Sequence, residues 1–245
     1  MVEPARSFDL AAAEYERTRP SYPPELLDGL PLGPDADVLD LGAGTGKLTR
    51  VLVRRYARVT AVEPLDGMRS ILERVVPEAA ALAGSAEEIP LADGAVDAVF
   101  AAQAFHWFDH DRALPEIARV LRPGGVLALV WNGPDESRPS PLPAAFAAYL
   151  DELRAAAEFH GQPSWRELLA RGPFGDANEA TVPHDHVLDR MGLLDNARSV
   201  SWIASRPAEE REAVLARLGS LLPEGTYAIP NLANVLWSVR RRDAG

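Results

Sequence analysis

Residues 38–46 of this chain, Val38-Leu39-Asp40-Leu41-Gly42-Ala43-Gly44-Thr45-Gly46, read as a short apolar strand ending in an acid and running into glycine at every second position. Few folds accept that pattern. Glycine lets a backbone bend sharply and lie against a ligand where a Cβ would collide. A second apolar stretch, Val59-Thr60-Ala61-Val62, ends in Glu63, twenty-three residues beyond Asp40. A carboxylate at that spacing can hold the two hydroxyls of a ribose. A plain glycine-rich turn between strand and helix would account for the glycines but not for Glu63. Together the two signals predict a nucleoside-binding α/β domain.

The rest of the chain supports the class. Strands are expected at 37–41, 58–63, 79–83, 96–101 and 126–131, and helices at 47–55, 66–75 and 112–121, with a turn at Arg122-Pro123-Gly124-Gly125. Strands rich in Val, Leu and Ala that alternate with helices indicate a parallel sheet covered on both faces. Residues 7–30 read as two short helices broken after Arg19, because proline disfavours helical geometry in the residue before it. After Trp131 the rhythm changes. Four prolines make 133–143 an irregular connector, and with 171–178 it is a candidate flexible part of a lid. A helix is expected from Ala144 to about Phe159, a strand at 180–188, short helices at 189–204, a helix after Ser205, and a last strand at 233–241.

Composition excludes several classes. The 245 residues can bury a sizeable core, and 47% hydrophobic with 25% charged residues is ordinary for a globular protein. No apolar run approaches the ~20 residues of a membrane span. The N-terminus lacks the basic and apolar segments of a signal peptide. With no cysteine there is no disulfide framework, thiol nucleophile or thiolate metal site. These absences favour a cytoplasmic protein. A formal charge of −11 argues against nucleic acid as substrate, since phosphate-gripping proteins usually carry a basic stripe.

The spacing of the glycines narrows the nucleoside. A dinucleotide site uses G-x-G-x-x-G with pyrophosphate on a helix N-terminus, whereas position 47 here is Lys47. A phosphate loop needs Gly at 41 and Ser or Thr at 48, where this chain has Leu41 and Leu48. The stretch instead resembles motif I of the class I S-adenosylmethionine-dependent methyltransferases, D/E-x-G-x-G-x-G. Ala104-Phe105-His106-Trp107-Phe108-Asp109 resembles an A-x-H-W-F/x-D signature of one subfamily. That subfamily's Y-x-x-x-R-P-x-Y-P element is matched by Tyr15, Arg19, Pro20, Tyr22 and Pro23. It includes enzymes that methylate small carboxylic acids such as trans-aconitate. The resemblance covers residues 8–131 well and the C-terminal half loosely.

The resemblance implies a seven-stranded, mostly parallel, doubly wound sheet, five strands parallel and the last of two later ones antiparallel. It implies a single domain, with N-terminal cap helices in 1–30, a cofactor-binding core in 35–132, a helical lid in 133–178, and C-terminal strands and helices in 179–245. The implied cofactor is S-adenosylmethionine and the implied partner a small-molecule acceptor.

Ligands of open α/β sheets lie at the carboxyl ends of the strands. Strand one offers Asp40, Gly42, Ala43, Gly44 and Gly46; strand two offers Glu63 and Pro64, with Met68 a turn into the next helix. The loop after strand three resembles the family's adenine-binding loop, which points to Ser85, Ala86 and Glu87; a solvated helix start explains the Glu87-Glu88 pair nearly as well. After strand four come Gln103, His106 and Trp107.

Methyl transfer is an in-line displacement, so alignment and exclusion of water are the main requirements. Trp107 and Tyr15 are candidates for an aromatic wall around a sulfonium, although Trp107 and Phe108 would serve equally as core. A hydroxyl or amine acceptor must lose a proton, for which His106 is the available base. A carboxylate acceptor is already ionised and would instead need a cationic clamp, for which Arg19 is a candidate. Arg19 could equally cap a helix end or hold the cofactor's own carboxylate. His106-x-x-Asp109-His110 imitates a zinc pattern but has Asp where Glu belongs and lacks a third ligand; His184 and His186 share a strand face. No metal is expected. The rivals are a cofactor-binding protein without catalysis, disfavoured by the His106-Trp107 segment, and a nicotinamide-dependent reductase, disfavoured by the missing third glycine position and Tyr-x-x-x-Lys pair.

Overall fold

The computed structural model describes residues 16–155 and 164–241. Its strands are β1 (Asp37–Leu41), β2 (Arg58–Val62), β3 (Ala80–Leu82), β4 (Val96–Ala102), β5 (Leu121–Pro134), β6 (Asn178–Asp189) and β7 (Thr226–Val239). Its helices are α1 (Thr49–Arg55), α2 (Asp66–Val75), α3 (His110–Val120), α4 (Ala144–Ala155), α5 (Trp165–Arg171), α6 (Arg190–Ser199), α7 (Ser201–Ala204) and α8 (Ala208–Leu221). The strands form one sheet in the order β3-β2-β1-β4-β5-β7-β6. β2 and β4 flank β1 in parallel, with Leu39 opposite both Thr60 and Val99. β7 runs against β5: Gly124 N–H donates to the Arg240 carbonyl, and nearer the start of β7 Asp135 N–H donates to Pro230.

The strand period of two sorts side chains onto two faces. Leu39, Leu41, Val99, Ala101, Leu127 and Leu129 pack on one face with Ala113, Leu114 and Ile117 of α3. Val38, Ala98, Phe100, Val126, Ala128 and Val130 pack on the other with Val51 and Leu52 of α1 and with Leu26 and Leu27. Each such Val, Leu, Ile or Phe side chain contributes about 1.5–3 kcal/mol through burial. Both faces being covered explains why β1, β4 and β5 read as near-continuous apolar runs.

Backbone contacts divide the chain into two compact units. Of the described residues, one comprises 21–133, 164–182 and 232–241 and holds most of the sheet. The other comprises 16–20, 134–155 and 183–231, its core formed by Phe146, Leu153, Ile203, Val214 and Leu218. α4 lies in the second unit and α5 in the sheet unit.

The second of the two short helices expected in 7–30 is a 3-10 helix, Pro24–Leu27, and most of the first lies outside the described residues. Two elements differ from expectation. The expected turn at 122–125 is an irregularity inside β5: Leu121 pairs with Val96, but the next partner of β4, Ala98, is opposite Val126. Gly124, at φ +85°, takes the bend, and its bond to Arg240 keeps the segment in the sheet. β7 begins at Thr226, seven residues earlier than its alternation suggests, across Pro230.

Candidate active site

The carboxyl ends of β1, β2 and β4 carry the predicted residues, and the loop after β3 joins them. Gly42, Gly44 and Gly46 all have positive φ, at +69°, +57° and +86°. A Cβ on Gly42 would sit 2.7 Å from the Ala104 Cβ, which no real structure tolerates. Gly42 and Ala43 donate their amides to the Val62 carbonyl at 2.8 and 3.1 Å, pinning the loop against the end of β2. Met68 of α2 is buried, and its sulfur would lie 3.7 Å from a Cβ on Gly44.

Glu63 is 5% exposed. Its Oε2 accepts from Gly44 N–H at 2.8 Å and its Oε1 from Leu65 N–H at 2.9 Å. The Arg69 guanidinium donates to the Glu63 carbonyl at 3.0 Å, fixing the peptide that carries the carboxylate. Sequence reasoning missed Arg69. Only its position one turn into α2 could have suggested it. Pro64 is exposed beside Glu63.

Asp40 lies deeper than a ligand contact, at 0% exposure. Thr49, at the start of α1, donates its hydroxyl to Asp40 Oδ2 at 2.6 Å, and Oδ1 has no hydrogen-bond partner. Burial pushes the Asp40 carboxyl up to about 7; the Thr49 bond opposes this and the nearby negative charge of Glu63 adds to it. The buried Thr45 hydroxyl in the same loop is likewise without a partner.

In the loop after β3, Ala86 is buried and Ser85 partly so. Glu87 Oε1 accepts from Asp109 N–H at 2.9 Å. Burial pushes the Glu87 carboxyl up, but bonds from the Asp109 amide and the Ser85 hydroxyl outweigh it and leave the group below the usual range. The start that Glu87 serves is therefore that of α3, not of a helix in its own loop.

Gln103 follows β4 and, at φ +52°, is the one described non-glycine residue with positive φ. It is held there by its own amide on the Val130 carbonyl at 2.9 Å and by Nε2 on the Asn132 carbonyl at 3.0 Å. A 3-10 turn, Phe105–Trp107, follows. Phe105 is fully buried, whereas Trp107 is 42% exposed, so of the two readings of Trp107 the core one falls away. The His106 and Trp107 rings lie 4.8 Å apart, and burial holds the imidazole below its usual 6.5.

Under the turn sits an aromatic cluster that the sequence did not announce. Trp165 of α5 packs edge-on against Phe105 at 5.8 Å and Trp131 at 4.9 Å. His110 stacks on Phe105 at 4.6 Å and bonds to its carbonyl at 3.0 Å. That contact accounts for His110 without a metal; among the described residues no group of His, Asp and Glu could hold one.

Arg19 donates Nη2 to the Ser199 carbonyl at the end of α6, at 2.9 Å. This is the helix-capping role weighed for it, and the cation suits the negative end of the helix. Tyr15 lies outside the described residues.

Residues 39–129 match the model of a methyltransferase domain family. An uncharacterised methyltransferase of Mycobacterium tuberculosis is 44% identical over 228 residues, covering 93% of this chain and 88% of that one. The chain belongs to the class I S-adenosylmethionine-dependent methyltransferases. A trans-aconitate 2-methyltransferase of Azoarcus is 37% identical over 200 residues, 77% of this chain and 74% of that one. The fold of this methyltransferase is also that of a solved protein proposed for antibiotic biosynthesis in Anabaena variabilis. The TM-score there is 0.63, with 20% identity over 87% of this chain and 94% of that one.

The residues at the ends of β1 and β2 suit a nucleoside cofactor. Glu63 presents a buried carboxylate beside the glycine loop, the type of group that accepts from ribose hydroxyls. The partnerless Asp40 Oδ1 and Thr45 Oγ1 leave polar capacity beneath the glycine loop.

Proposed function

We propose that this methyltransferase carries the methyl group of S-adenosylmethionine to a small-molecule acceptor, and that the acceptor meets it at the His106–Trp107 turn. One observation carries this reading: an exposed indole and an imidazole lie side by side just past the end of β4, the strand next to the glycine loop. The cofactor supplies a methyl on a positively charged sulfur. The glycine loop, Glu63, Pro64 and Met68 hold its ribose and methionine parts, and Ser85 and Ala86 read its base. The Trp107 face stabilises positive charge by about 0.5–2 kcal/mol. His106, kept neutral by burial, can accept the proton of a hydroxyl or amine at neutral pH.

The similarity to a trans-aconitate methyltransferase favours a carboxylate acceptor among carboxylate, hydroxyl and amine. A carboxylate needs no base. The charge of −11 supports a small molecule over nucleic acid, and among the described residues no helix is long and apolar enough to cross a membrane, which suits work in the cytoplasm.

Calorimetric titration with S-adenosylhomocysteine, S-adenosylmethionine and NADH tests the cofactor first. Binding of the two S-adenosyl compounds alone is the expected result; a response to NADH alone would reinstate a reductase. Small acids, phenols and amines are then screened by mass for a gain of one methyl. A pH profile follows: a hydroxyl or amine acceptor should show activity rising through a pKa below 6.5, a carboxylate acceptor none. Cofactor binding without turnover of any acceptor would support a non-catalytic binding protein.

A further inference from the structure

β3 and β4 are separated in the sheet by β2 and β1, yet the segments that follow them are tied together. Glu87, in the loop after β3, accepts from the backbone amide of Asp109, two residues past Trp107 and immediately before α3. The Ser85 hydroxyl bonds to the same carboxylate. Farther along the loop, Ile89 donates to Glu116 of α3 at 3.1 Å, and Arg119 of α3 donates to the Ile89 and Leu91 carbonyls at 3.0 and 2.8 Å. α3 therefore grips this loop from both ends. Only the Glu87 bond falls at the end that carries the His106–Trp107 turn, and an ionised acceptor makes it the strongest kind of side-chain to backbone bond.

We propose that Glu87 is a positioning residue of the methyl-transfer site, fixing the His106–Trp107 turn in register with the loop after β3. The proposal rests on reading those two segments as the acceptor and cofactor sides. Glu87 then acts through the Asp109 peptide and not on the adenine itself. The Glu87 bond to the Asp109 peptide joins the two sides directly, so a change at one can reach the other.

Glu87→Ala and Glu87→Gln are compared with the parent protein by calorimetry with S-adenosylhomocysteine and by NMR of the His106 and Trp107 rings. In Glu87→Ala the ring resonances should move and the His106 titration midpoint should rise toward that of a free histidine, as the turn loosens and its burial is lost. Cofactor-product affinity should stay within about three-fold, less than half a decade in Kd. Glu87→Gln should restore the parent ring signals, because its amide oxygen still accepts the Asp109 N–H. Unmoved rings in Glu87→Ala overturn the proposal. So does an affinity loss of about ten-fold or more, which would mark Glu87 as a cofactor ligand or the loop as generally loosened. A Gln variant as altered as the Ala variant also overturns it. If the parent protein binds no S-adenosylhomocysteine, the cofactor reading fails, while the ring comparison still decides what Glu87 does to the turn.

Discussion

Glu63 holds two backbone amides at the glycine loop, so the side chain proposed to read the ribose also serves the fold. Glu63→Ala strands the Gly44 and Leu65 amides, which should cost about 1–3 kcal/mol in urea unfolding. Its affinity for S-adenosylhomocysteine should fall by about ten-fold or more, the usual result of removing a buried polar recognition group. Asp40 gives a prediction of a different kind. With its carboxyl raised from 3.8 to about 7 in the folded protein, the folded state keeps a proton that the unfolded chain has released across that window. The stabilisation associated with the neutral acid is full below about pH 4 and is lost as pH rises to about 7. Asp40→Asn imitates the neutral acid and can still accept from Thr49. Measured by denaturant unfolding at several pH values, the parent should lose stability relative to the variant between pH 4 and 7.

At the scale of elements, the glycine loop and the turn after β4 press on each other. Gly42→Ala brings a Cβ within 2.7 Å of Ala104 at a φ of +69°, and should destabilise by about 1–3 kcal/mol. Gly33→Ala, with nothing within 4 Å of the new atom, should be neutral or slightly stabilising in the same unfolding experiment. The loop was legible in the sequence because its chemistry is local: strand, glycines and Glu63 fall within twenty-six residues of one another. The same holds for His106 and Trp107. What escaped the sequence is what distant segments do to each other. Trp165 meets Trp131 and Phe105, Glu87 meets Asp109, and Arg19 meets Ser199 across 180 positions; no periodicity records such pairings. β5 reads from the sequence as beginning at Val126 after a turn, because the bonds that hold Gly124 and Gly125 in the sheet come from distant Arg240. Asp40 was expected at the ligand and lies beneath the loop, since alternation along a strand does not reveal how thick the layer above it is.

For the whole molecule, the net charge of −11 sets a long-range condition on the acceptor. Raising ionic strength from about 0.01 to 0.15 M shortens the screening length from ~30 to ~8 Å. The KM of an anionic acceptor should fall across that range and the KM of a neutral one should hold, which steady-state kinetics at fixed cofactor would show. The alternating first half made the parallel sheet legible, whereas the second half was harder because its two units interleave: each draws on three separated stretches of chain. That interleaving bears on how the protein is made. β7 lies between β5 and β6 in the sheet but follows both in sequence. About ninety residues separate the end of β5 from the start of β7, and a ribosome working at roughly 5–20 residues per second needs about 5–20 s to span them. Throughout that interval the nascent chain carries unpaired strand edges, the kind of surface that chaperones shield from neighbouring polypeptides. The seam that completes the sheet closes only after residues 226–239 have left the ribosome.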